Sequence, residues 1–280
     1  MNKGFTLIEI LIVIVVIGIL SSFILVGMSS ISGSANIAKG QAYANSLRNS
    51  LLMDLVSEWK FDGNANDSWG TNNGTVFGAT LISSGCMKGS CYSFDGSDDY
   101  IEINDNPRLK MLTGGTISAW IYPETLGEQS WGAIMDRSTS SGGLNGFAFV
   151  LTSGNRLYFQ INNGTAMYSS SNTITLNKWQ LVAVTFNNSG RNFYINGLNV
   201  TASGGDQILL PPDNVHVVRI GNRSYATDIT FDGYIDEVLM YDKVLSVFQI
   251  QEKYYSGLNR LLVSDKINIA EYNKRLALNE

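Results

Sequence analysis

Histidine is almost missing from this chain, with one in 280 residues, and cysteine and proline are scarce at two and four. With His216 alone, no Ser/His/Asp set is credible, and His216 itself sits in the strand-like run Val215-His216-Val217-Val218. A zinc site is equally poorly supported, since it takes four nitrogen or sulfur ligands and the cysteine spacing is wrong for one. Basic clusters are lacking too, and the net charge is −5, so nucleic-acid binding by phosphate neutralisation is excluded. Charge of either sign is absent from Ile10 to Ala38.

That uncharged run is the first positive signal. A bilayer core of roughly 30 Å takes about 20 helical residues to cross. Ile10 to Ile31 meets that length. Lys3 lies on the flank that the positive-inside bias holds in the cytoplasm. Glu9 is the odd residue, because a carboxylate in an apolar helix costs on the order of 2.5–3.5 kcal/mol unless a partner offsets it. A signal peptide has a shorter apolar core and a small-residue cleavage site, and a plain anchor leaves Glu9 unexplained. Beyond the span, Ile37, Ala44, Leu47, Leu51 and Leu55 recur at helical steps, which predicts one helix over 5–56 with an amphipathic outer half.

At Ser57 the period changes to short alternating runs punctuated by Gly and Asn, among them Tyr100 to Ile103, Ile117 to Ile121 and Arg156 to Ile161. Gln180 to Phe186 and Arg191 to Ile195 follow, with Asn196-Gly197 as a tight hairpin turn. Such a pattern predicts an all-β sandwich. Ser246-Val247-Phe248-Gln249 reads as a capping box opening a short helix, and Asn268 to Glu271 opens another. Cys86 and Cys91 close a small loop as a disulfide if the domain lies beyond a membrane; two free thiols are the alternative.

Two family resemblances follow from these residues. Lys3-Gly4-Phe5-Thr6-Leu7-Ile8-Glu9 resembles the processing motif of type IV prepilins and pseudopilins. The resemblance implies cleavage between Gly4 and Phe5 by a prepilin peptidase and N-methylation of Phe5. It also implies that Glu9 pairs with the Phe5 amine of a neighbouring subunit during assembly by inner-membrane machinery. An embedded amine and carboxylate relieve each other's desolvation, which agrees. The chain departs from many pilins in having no proline in the apolar helix, where Gly18 and Gly27 are the weak points.

Trp59-Lys60-Phe61-Asp62, Tyr92 to Gly96, Ser118 to Ile121, Trp179 to Val184 and Phe231 to Val238, read in order, resemble a laminin-G-like domain of the concanavalin-A-like lectin/glucanase group. That implies a jelly-roll of two antiparallel sheets. The expected organisation is a leader over 1–4, the helix over 5–56, a jelly-roll over 57–257 and a helical appendage over 258–280.

Glucanases of this group carry a Glu-x-Asp-x-x-Glu run that this sequence lacks, and Asp236-Glu237, adjacent on a strand, are expected to face opposite ways. The chain is therefore read as a non-enzyme. Many laminin-G-like domains carry Ca²⁺, and Asp62 and Asp67, with Asp236, are the candidate ligands; turn geometry is the competing reading of Asp62 and Asp67. Trp69, Trp131, Tyr168 and Tyr225 fall in loop-like stretches and are candidates for glycan or protein binding, against packing. Trp120 and Trp179 are expected in the core. The functional expectation is a pilus subunit displaying an adhesive head. The alternatives are a secretion pseudopilin that recruits cargo and, less favoured, a surface glycoside hydrolase.

Overall fold

The computed structural model describes residues 53–139, 146–162, 164–202 and 216–278. The expected leader, membrane span and nearly all of the 5–56 helix, with Gly4, Phe5 and Glu9, lie outside the described residues. Among the described residues no helix is long and apolar enough to cross a membrane.

Residues Asp54–Glu280 form one compact unit. Its strands, in chain order, are β1 (Leu55–Trp59), β2 (Gly74–Phe77), β3 (Thr80–Ile82), β4 (Cys91–Asp95), β5 (Tyr100–Ile103), β6 (Gly115–Pro123), β7 (Trp131–Asp136) and β8 (Phe147–Thr152). Then come β9 (Arg156–Ile161), β10 (Met167–Tyr168), β11 (Gln180–Asn187), β12 (Gly190–Ile195), β13 (Leu198–Asn199), β14 (Val218–Ile220) and β15 (Asp232–Tyr241). Helices α1 (Val247–Val263) and α2 (Ile269–Ala277) close the chain.

The strands make two antiparallel sheets. The eight-stranded sheet runs β13-β12-β11-β6-β15-β4-β3, with β1 also on β15; the seven-stranded sheet runs β10-β9-β8-β7-β14-β5-β2. Alternation decides which side chains enter the sandwich. Ile117, Ala119 and Ile121 of β6 and Leu157, Phe159 and Ile161 of β9 point into one shared core. Each such aliphatic or aromatic side chain contributes about 1.5–3 kcal/mol on burial. Asn196 and Gly197 both take positive φ, at 53° and 83°. A two-residue hairpin turn, here between β12 and β13, requires that conformation.

Three expectations change. Leu55 and Val56 open β1 rather than ending a helix, because Leu55 pairs with Tyr241 and both residues are buried. The boundary expected at 257 falls inside α1, a 17-residue helix whose Ile250, Tyr254, Leu258 and Leu261 are buried. Trp120 and Trp179 are buried as expected but lie outside the sandwich core, Trp120 stacking on Tyr254 of α1 at 6.0 Å. Gly257 lets that helix approach, since a Cβ there would stand 2.2 Å from Trp120 Cζ2 and 2.6 Å from Met87 Cε.

The capping box at Ser246 and Gln249 forms, as does the Asn268 cap of α2. Cys86 and Cys91 are disulfide-bonded, with Cα atoms 5.4 Å apart.

Candidate functional site

The outward face of the seven-stranded sheet carries an open cleft of about 370 Å³. That size is within the usual range of ligand sites. Alternation places it: with Phe147, Phe149, Leu157 and Phe159 turned inward, Ala148, Val150, Tyr158 and Gln160 turn out. Ala133, Ala148, Val150 and Ile229 make a small apolar floor against which Trp131 and Tyr158 pack. Trp131 meets Tyr158 edge-on at 5.3 Å, and Tyr158 meets Tyr168 at the same distance. The turn into β7 holds Gln129 and Ser130 in the left-handed region, at φ 51° and 65°. Such backbone is strained for non-glycine residues and recurs at ligand sites.

Asp136 supplies the polar centre. It is 1% exposed, and its Oδ1 accepts from the Ser138 amide at 2.8 Å, the Ser138 hydroxyl at 2.6 Å and the Ser224 amide at 3.0 Å. The Ser224 hydroxyl divides its one proton between this oxygen and the Ser138 carbonyl. Oδ2 is buried and meets no donor among the described residues. A buried carboxylate oxygen left without a donor costs about 1–3 kcal/mol or more, so Asp136 is preorganised on one side and unsatisfied on the other.

Around it, Arg223 pairs with Asp228 at 3.1 Å and lies 4.9 Å from the Tyr225 ring, while Asp228 Oδ1 is also buried without a partner among the described residues. Burial pushes the Tyr158 phenol up to about 12, so it remains a donor, and it donates to Gln160. The Gln160 amide in turn donates to the Gly164 carbonyl at 2.8 Å. Aromatic walls, an apolar floor and preset polar groups are what bind a molecule with one apolar face and many hydroxyls.

Of the four aromatic candidates, the cleft gathers Trp131 and Tyr225, and Tyr168 adjoins it through Tyr158. Trp69 is elsewhere, donating its ring N–H to the Leu55 carbonyl at 3.0 Å. Sequence reading passed over Asp136, Tyr158, Gln160, Arg223 and Asp228. The available signal was an acidic residue ending the otherwise apolar run Gly132-Ala133-Ile134-Met135.

The three calcium candidates do not converge. Asp67 is a turn organiser, its carboxylate accepting from the amides of Glu58, Trp69, Gly70 and Asn72. Asp62 pairs with Lys88 Nζ at 2.8 Å, and Asp236 accepts from the Lys88 amide at 3.1 Å. Glu237 also reaches Lys88, at 3.5 Å, so Asp236 and Glu237 converge instead of facing opposite ways. A β-bulge that puts Glu237 at φ 47° breaks the alternation there.

Asp95, Asp98 and Asp99 are, among the described residues, the one acidic trio whose ligand atoms lie within 4.8 Å of one another. Burial, and then the charges of Asp95 and Asp98, push the Asp99 carboxyl above its ordinary range, although the Asp95 amide opposes this. Asp95 also accepts from the Ser97 amide at 2.9 Å and Asp99 from the Asp95 amide at 2.9 Å, so the trio organises its own turn, and its clustered carboxylate oxygens are of the kind a hard divalent cation takes.

Comparison with known proteins agrees with this architecture. The family profile described as the concanavalin A-like lectin/glucanases superfamily matches residues 95–251. The chain belongs to that superfamily. The prokaryotic N-terminal methylation motif matches residues 1–25. No curated protein matches this chain.

Among solved structures, the binding domain of Paraclostridial Mosquitocidal Protein 1 superposes with TM-score 0.60 at 17% identity, over 75% of this chain and 53% of that one. The botulinum neurotoxin serotype D binding domain gives 0.56 at 18%, over 75% and 53%. A Trypanosoma rangeli sialidase gives 0.56 at 13%, over 72% and 32%. At these identities the likeness is one of fold, and the chain spans about half the length of the toxin domains.

Proposed function

We propose that this lectin-superfamily protein is a pilin-like subunit whose head binds a glycan in the cleft between Trp131, Tyr158 and Tyr225. The observation that carries the reading is Asp136, buried and held by two serines, with an oxygen that an incoming donor would satisfy. A sugar hydroxyl is such a donor, and the neighbouring rings suit the C–H face of a pyranose.

The methylation motif supports the other half. Cleavage after Gly4 would free the Phe5 amine, its methylated form would enter the filament, and Glu9 would pair with it on a neighbouring subunit. The precursor would span the membrane once with its head outside the cytoplasm, and the assembled form would stand at the cell surface. A disulfide in the head suits that oxidising side. Calcium at Asp95, Asp98 and Asp99 would be structural, supplying charge compensation to the turn between β4 and β5.

Binding is favoured over glycoside hydrolysis because the second carboxylate of the cleft, Asp228, is tied to Arg223. A secretion pseudopilin recruiting cargo shares the methylation motif, and pulldown of pilus-assembly or secretion components separates the two. The head is tested by glycan-array binding of the full-length protein in detergent. Retained glycans whose signal disappears in Trp131→Ala support the reading; an empty array, or signal unchanged by that substitution, refutes it.

A further inference from the structure

The opposite sheet carries a second pocket, of about 390 Å³, where the C-terminal helices meet the end of β6. We propose that it is a separate binding site for an anionic saccharide, one bearing a carboxylate or sulfate. Leu261 of α1, Lys266 and Ile267 between the helices, and Glu271 and Arg275 of α2 form one wall. All lie beyond residue 251, where the superfamily match ends.

The opposing wall is aromatic. Trp179 and Tyr122 lie 5.8 Å apart, and Tyr122 stacks on Tyr234 at 5.4 Å. Trp179 is fixed by its ring N–H, which donates to the Gly85 carbonyl at 2.8 Å, and by its own carbonyl, which accepts from buried Arg275 at 2.9 Å. Two carboxamides, Asn177 and Asn268, line the same pocket as half-buried Tyr122, whose ring is the accessible one, while buried Trp179 is its rigid backing. Such a pairing suits a sugar: the ring takes C–H groups and the amides take hydroxyls.

Charge selects among sugars. Among the described residues, Lys178, Lys266 and Arg275 line the pocket with one carboxylate, Glu271. That carboxylate is held by Arg275 at 2.9 Å and by Lys178 at 3.8 Å, and Arg275 foremost keeps it below its usual range. Among the described residues Lys266 has no ion-pair partner, so cationic charge remains beside a recess walled by aromatic rings, where an anion is held better than on open surface. Lys266 is exposed and lines the pocket, placed to meet a ligand's charged group.

The test titrates full-length protein in detergent micelles with an oligoglucuronate, its carboxyl-reduced counterpart, a sulfated neutral oligosaccharide and an acidic peptide. The expected result is saccharide binding that weakens with salt and falls about tenfold in the Lys178→Gln/Lys266→Gln variant, whose substitutions touch only exposed charges. Asp136→Asn, in the other cleft, should leave this affinity unchanged, so the two sites stand or fall separately. Response to the oligoglucuronate alone, or to the sulfated compound as well, supports the proposal and tells which anionic group is read. Equal binding of the carboxyl-reduced compound, tighter binding of the acidic peptide, or no loss in the double lysine variant overturns the proposal.

Discussion

Replacing Asp136 by Asn tests the cleft with almost no change of shape. The amide oxygen can take the place of Oδ1 and keep the Ser138 and Ser224 donors, at 2.8 Å and 3.0 Å from their amides. The amide nitrogen then occupies the position of Oδ2, the buried oxygen that meets no donor among the described residues. A ligand hydroxyl accepted there in the proposed complex would then face another donor. Hydrogen bonds to charged groups contribute about 1.5–3 kcal/mol, which is a loss of roughly 10- to 150-fold in affinity. Stability should change little, because a buried atom without a partner exists before and after the substitution. Asp136→Ala differs, since it strips the serine amides and hydroxyls of their acceptor and should lower stability by about 2–4 kcal/mol. Calorimetric titration with a glycan retained on the array, paired with thermal melts, separates the two effects. Asn binding within about twofold of wild type would refute the argument that Oδ2 anchors the ligand.

Other perturbations test the rest of the fold. The Asp236 carboxyl is pushed up to about 8, by burial first and then by the Glu237 charge, against two backbone amides that favour ionisation. The folded state therefore holds a proton that the unfolded chain, with an ordinary value of 3.8, has released. As far as this group decides it, stability is highest below about pH 4 and falls until about pH 8. The loss is on the order of a few kcal/mol; melts should show Asp236→Asn flattening this slope, and an unaltered slope would contradict it. Reducing the bond between Cys86 and Cys91 opens a small loop. That should cost about 2 kcal/mol, seen as a melting temperature lower by several degrees in dithiothreitol. Gly257→Ala should destabilise by about 1–3 kcal/mol, because the new methyl meets Trp120 and Met87; a melt equal to wild type would show that α1 can shift away. Millimolar calcium should raise the melting temperature, and Asp98→Asn should abolish the rise; no rise in wild type would remove the ion from the account.

Much of the sandwich was legible because its strands alternate cleanly, as in Arg156 to Ile161, and because Asn196-Gly197 names its own turn. The ends of the domain were not. Leu55 fits the helical period of Ile37 to Leu51, yet pairing with Tyr241 outweighs that local pattern. The site was half legible. Trp131 and Tyr225 stood out as aromatics expected in loops, although Trp131 opens β7 and Tyr168 lies in β10, but Asp136 acquires its meaning only when Ser224, 88 positions away, folds onto it. The expected ligand set of Asp62, Asp67 and Asp236 did not assemble for a related reason: Asp67 satisfies a turn, whereas Asp95, Asp98 and Asp99 gather where β4 turns toward β5. Asp236 and Glu237 were assigned opposite faces by strand period, and a bulge at Glu237 undid that assignment.

The role of the whole chain turns on what happens to its first residues, because a head can be displayed by a filament only after the subunit has been processed for assembly. Mass spectrometry of the amino-terminal peptide from native cells tests this most directly. The account predicts a chain beginning at N-methylated Phe5, without Met1 to Gly4. A chain that keeps Met1 intact in the mature fraction would contradict it and leave an anchored lectin-type domain.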